Sequence, residues 1–327
     1  MHRPHSSAFH SIRPRALLAL AILASPVFAS LPLPMPAGEP PAPPPQVDVD
    51  FLERRKTPST GYYDPNNSGG AMLTLVNNTY PPGLHEPINV IMSAYSDWDV
   101  LQPVTTDGGL INWFQSVGFS TECLGQHSGD NQAANLGDGH GYLNQTAVIR
   151  WDYGDATVGT CEETIEGGDH IRYWIQNGPS ADSGAVFMAL SYEMPIAQQH
   201  NIVPNGYNLG RDWFVGNATA QSSLIPSLNV TNASSYSGET TFNGYTYSNS
   251  VTYVSGLLQN TSIGINHNDS VPIDGKPAID GLVAVVEVKI VGKPANSGAL
   301  PQLGFSTSLL TSLAIPLLLS GWLALAP

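Results

Sequence analysis

"HIRYWIQNGPSADSGAVFMALSYE", residues 170–193, contains two runs of strand-forming residues separated by a short break. The runs, His170–Gly178 and Gly184–Glu193, are rich in aromatic and β-branched side chains, which suit a pleated, half-buried surface. Asn177-Gly178-Pro179 supplies turn chemistry between them, so the stretch predicts an antiparallel hairpin. Similar runs lie on both sides. "PINVIMSA" (87–94) reads as a buried strand, and "TAVIRWDY" (146–153) alternates Ala147, Ile149, Trp151 and Tyr153 against Val148, Arg150 and Asp152. "TTFNGYTYS" (240–248) folds around Asn243-Gly244, the strongest two-residue hairpin signal in the chain, and "GLVAVVEVKIVG" (281–292) alternates again.

Two segments read as helices. Leu110, Trp113, Phe114 and Val117 share one helical face, closed by Gly118. "NLGRDWFVGNATAQ" (208–221) predicts a second helix, weakened by Gly210 and Gly216. The expected fold is α+β: a strand-rich single domain, mostly antiparallel sheet, with about two helices.

The ends predict a secretory route. Residues 1–29 place Arg3, Arg13 and Arg15 before a short apolar run and a small-residue cleavage pattern ending at Ala29, the organisation of a signal peptide. Residues 30–60 form a Pro-rich extended arm, since proline lacks the N–H that helix and central strand require. The globular ectodomain is expected over 61–291, then a linker over 292–308 with small residues Asn296-Ser297-Gly298, and an apolar tail over 309–327. Small triplet, uncharged spacer and terminal apolar tail are the features of a glycosylphosphatidylinositol (GPI) signal, with Asn296 (or Ser297) as attachment residue. Asn-x-Ser/Thr sequons at Asn66, Asn77, Asn144, Asn217, Asn229, Asn232, Asn260 and Asn268 agree with a glycosylated surface.

Twelve basic residues face 26 acidic ones. Removing the leader takes away three arginines, so the charge changes from −14 to −17. Such a surface repels phosphate-rich partners and excludes nucleic acid. The only cysteines, Cys123 and Cys161, predict one disulfide in an oxidising compartment.

Residues 125–142, "GQHSGDNQAANLGDGHGY", carry His127, Asp130, Asp138 and His140. No Glu closes a calcium loop there, and the histidine spacing does not match a helical zinc pair. The stretch is expected to be an irregular loop between the cysteines, either a structural turn or a functional surface. "CEETIEGGDH" (161–170) places Glu163, Asp169 and His170 close together, either as an acid/base group or as a solvated acidic turn. Asp97 and Asp99, past the end of a strand, are further carboxylate candidates. No nucleophile elbow, P-loop, His-Glu-x-x-His or dinucleotide fingerprint is present.

The segments "HEPINVIMSAYSD", "GGLINWFQSVGF", "GDHIRYWIQNG", "GAVFMALSYE" and "NLGRDWFVGNAT" together resemble a group of fungal secreted, surface-anchored proteins, over roughly residues 80–220. More remotely, their order resembles the LssY C-terminal type domain. The resemblance implies a single domain without an assigned activity, and draws attention to His170, Arg172, Arg211 and Asp212. Two functions are therefore expected as alternatives. One is a GPI-anchored cell-surface or wall glycoprotein that binds or structures wall polysaccharide. The other is a secreted glycan hydrolase using two of Asp97, Asp99, Asp130, Asp138, Glu163 and Asp169, with His170 nearby. Neither expectation includes a metal or cofactor.

Overall fold

A computed structural model describes residues 57–127, 129–221, 225 and 227–295. The expected signal peptide, most of the Pro-rich arm, the expected attachment region and the apolar tail lie outside the described residues. Among the described residues no helix is long and apolar enough to cross a membrane.

The strands are β1 (Val90–Met92), β2 (Phe119–Thr121), β3 (Ala133–Asn135), β4 (Tyr142–Asn144), β5 (Ala147–Trp151), β6 (Gly168–Gly178), β7 (Ala181–Glu193), β8 (Ser235–Phe242), β9 (Tyr245–Thr261) and β10 (Ile279–Gly292). The helices are α1 (Leu110–Ser116), α2 (Gly159–Glu166) and α3 (Gly206–Ala218). Eight strands form one sheet in the order β2-β5-β6-β7-β1-β10-β9-β8, and β3 and β4 pair separately. Every pairing is antiparallel except that of β1 with β10. Strand-rich α+β is therefore the fold.

The predicted hairpins form as read. β6 and β7 turn at Pro179-Ser180, and β8 and β9 turn on Asn243 (φ 49°) and Gly244 (φ 79°), the double positive φ that a tight hairpin requires. A third helix joins the two read from the sequence. Residues 161–166, expected either as part of an acid/base group or as a solvated acidic turn, belong to α2, which carries Cys161 of the disulfide and the buried Glu163. Its stability comes from these tertiary ties and not from amphipathicity.

Alternation divides the core between the two faces of the sheet. Val186, Met188 and Leu190 of β7 join Val90, Trp113, Phe114, Phe214 and Val215 on the face covered by α1 and α3. Ala185, Phe187 and Ala189 point the other way, onto a second cluster with Tyr62, Leu136, Ile202, Tyr207 and Ile265, supplied largely by connecting segments. Burial on both faces explains why β1 and β7 read as nearly continuous apolar runs. The 125–142 stretch serves this second face: β3 and β4 form a hairpin within it and beyond it, and Ala134 and Leu136 are buried there.

Cys123 and Cys161 are bonded, with Cα atoms 4.6 Å apart. The bond fastens the turn after β2 to the first half of α2.

Candidate functional site

β5, β6 and β7 lie side by side, and their register sets Arg150 opposite His170 and His170 opposite Ser191. Ile149, Ile171 and Leu190 enter the helix-side core, so these polar neighbours occupy the opposite face. Glu193 stands two residues beyond Ser191, on the same face, and α2 delivers Glu163 from the segment just before β6. A row of polar side chains thus gathers at one end of the sheet.

Among the described residues, one group of three or more ligand-type side chains converges: Glu163, His170 and Glu193, each offering a donor atom within 4.8 Å of the others. His170 Nδ1 is 3.5 Å from Glu193 Oε1, and His200 Nδ1 is 3.3 Å from Glu193 Oε2. Arg150 Nη1 donates to Glu163 Oε2 at 2.8 Å, while its Nη2 is 3.6 Å from Glu122 Oε1. Glu163 is fully buried, and its Oε1 has no hydrogen-bond partner. The cluster reaches solvent through His200, whose side chain is 27% exposed.

Burial pushes the Glu163 carboxyl up to about 7, against the pull of Arg150. Burial also pushes the His170 imidazole down to about 4, leaving it neutral with a free lone pair at neutral pH. Glu193 behaves oppositely. Burial alone would raise it, but His170, His200 and Arg150 outweigh that effect and hold it below the usual carboxylate range. His200 is raised by its contact with Glu193. Asp169 is next to His170 in sequence but points to the helix side, against Gly210 of α3, where even a Cβ would come within 2.7 Å of its Oδ1. Burial and the nearby Glu163 charge drive Asp169 well above the ordinary range.

The remaining candidates do not join this group. Asp97 Oδ2 accepts from the Ile290 amide at 2.8 Å, and Asp99 pairs with Lys293 at 3.2 Å, so both fasten the end of β10. Asp130 accepts from Asn78 Nδ2 at 2.8 Å. Asp138 is buried and accepts from the His140 amide, while its carbonyl receives the Ser180 amide, bracing the β6–β7 turn. His127 contacts Glu122 and His140 contacts Asp138, so the two histidines of the long loop serve different carboxylates. Arg211 is buried between Asp212 and Asp280, at 2.7 Å from each, and Tyr253 donates to Asp212, which makes a structural ion-pair network. Arg172 is half-buried on the cluster's face, near enough for its charge to help lower His170.

Sequence reasoning found Glu163 and His170 but missed Glu193, His200, Arg150 and Glu122. These come from four separate segments, and only the sheet register brings them together. Comparison with protein families, with curated proteins and with solved structures finds no match to this chain.

Proposed function

We propose that this chain is a glycosylated, GPI-anchored protein of the cell surface or wall, whose domain binds or structures wall polysaccharide without cleaving it. The observation that carries this reading is the disposition of its acids. Glycan cleavage needs two carboxylates flanking an open groove, about 5–10 Å apart. Here Asp97, Asp99, Asp130 and Asp138 are engaged in local pairing, while Glu163 and Asp169 are buried.

The sequons support the surface reading. Asn66, Asn77, Asn144, Asn229, Asn232 and Asn260 are exposed and Asn268 is half-exposed. Asn232 and Asn260 rim one cleft of about 410 Å³, and Asn77 and Asn268 rim another of about 440 Å³. Sugars at those positions would fill the clefts with the protein's own glycans. Asn217 differs, because its Nδ2 is buried, and a glycan there would require the side chain to turn outward.

The test incubates the purified, secreted glycoprotein with insoluble wall polysaccharide. Retention on the solid without release of reducing sugar is expected. Sugar release that disappears in Glu163→Gln would instead establish the hydrolase alternative. Anchoring is tested separately by mass spectrometry of the mature C-terminus: a glycolipid on Asn296 or Ser297 is expected, and retention of residues 309–327 would refute it.

A further inference from the structure

We propose that Glu163, His170 and Glu193 form a binding site for a divalent first-row transition metal of the zinc type, with His200 completing the donor set. The donor atoms of Glu163, His170 and Glu193 are already gathered within 4.8 Å of one another, and His200 approaches this group through Glu193. Four ligands at about 2.0–2.2 Å from a tetrahedral zinc stand about 3.4 Å apart. His170 stands 3.5 Å from Glu193 Oε1 and His200 stands 3.3 Å from Glu193 Oε2, each close to that spacing on its own side of the carboxylate.

A second observation is independent of the clustering. Arg150 engages Glu163 through Oε2 alone, and Oε1 is left buried with no donor. A desolvated carboxylate oxygen without a partner is costly, and a cation held by the neighbouring His170 and Glu193 would remove that cost. His200 Nδ1 is likewise buried on the side facing Glu193. Gln199 and His200 hold consecutive left-handed backbone angles, φ 61° and 51°, in the tight return from β7 to Ile202. Non-glycine residues adopt such angles at a cost, and here they carry the ring back over the end of β7.

The donor chemistry selects the class of ion. Calcium and magnesium take oxygen ligands, and two imidazoles argue against both. Mixed imidazole and carboxylate with no thiolate suits zinc and its first-row neighbours. The ligands come from α2, β6, β7 and the loop after β7. A bound ion would therefore fasten α2 to the ends of β6 and β7.

The experiment uses the full chain, purified from a secreting host, stripped with a chelator and titrated with zinc chloride and, separately, cobalt chloride. Expected are one metal per chain, visible cobalt absorption bands, and a rise in thermal midpoint on adding zinc. Glu163→Gln should weaken binding by about tenfold or more. His200→Gln, on a partly exposed loop, should weaken it while leaving the metal-free circular dichroism unchanged. His127→Gln combined with His140→Gln should leave affinity as in the parent. Absence of stoichiometric binding by the parent chain overturns the proposal. So does binding that survives in Glu163→Gln and His200→Gln but is lost in the His127/His140 pair.

Discussion

Arg211 shows how one residue can hold a buried network together. It sits wholly inside the protein, stacked 5.1 Å from the Tyr253 ring and hydrogen-bonded to Asp212, Asp280 and the Leu282 carbonyl. Replacing it with leucine strands Asp212, which is fully buried, with only the Tyr253 hydroxyl as donor. Removing one member of a buried ion pair costs about 3–5 kcal/mol, whereas removing both members is often close to neutral. Chemical denaturation should therefore show Arg211→Leu strongly destabilised, with Arg211→Leu/Asp212→Leu recovering at least half of the loss. Equal losses in both variants would mean that packing, not charge compensation, dominates at this position. The importance of Arg211 was visible in the sequence, because arginines are scarce. Its partner Asp280 was not, since the pairing spans the distance from α3 to the start of β10.

Among the elements, the β6–β7 hairpin was legible, but the site it builds was not. Its turn and both strands follow from local chemistry. Its register does not, because between Ile175–Val186 and Asn177–Asp182 the chain advances two residues on β6 and four on β7. Extending the register near the turn without that shift would set His170 opposite Ala189, with Glu193 displaced along the strand. The irregularity brings Ser191 opposite His170 and Glu193 alongside. Gln176 stabilises it: the side chain donates to the Tyr63 and Leu136 carbonyls and accepts from the Tyr63 amide and the Ser183 hydroxyl. Gln176→Leu would remove all four bonds at a fully buried position. At about 1–3 kcal/mol per buried group left unsatisfied, a loss of at least about 3 kcal/mol is expected by thermal melting. Hydrogen exchange at residues 61–63 should also accelerate, because this side chain pins that segment to the sheet. Helix α2 was missed for a related reason: its stabilising contacts are tertiary, and local pattern carries no trace of them.

In the whole molecule, the disulfide and the polar cluster are mechanically linked. Cys123 follows Glu122, and Cys161 lies two residues before Glu163 on α2, so the bond fixes both carboxylates that flank Arg150. The loop it closes has a sequence separation of 38. In the chain-entropy description such closure stabilises by about 4 kcal/mol. Cys123→Ser with Cys161→Ser should lower the unfolding free energy by that order, with the earliest loss of protection in α2. Unchanged protection of α2 would show that Arg150 alone suffices to hold it.

The placement of β1 has a consequence for the order of events during synthesis. Only three residues long, it lies between β7 and β10, and its pairing with β10 is the one parallel pairing in the sheet. The β6–β7 and β8–β9 hairpins can close locally as they emerge, since each contact is near in sequence. β1 emerges before both, yet one of its sides stays unfilled until β10, near the end of the described chain, becomes available. Contacts so distant along the chain form slowly, and an unpaired apolar strand edge invites association with other chains in the interval. β1 therefore stays without its last partner while residues 93–278 are made, and the arrival of β10 closes the centre of the sheet.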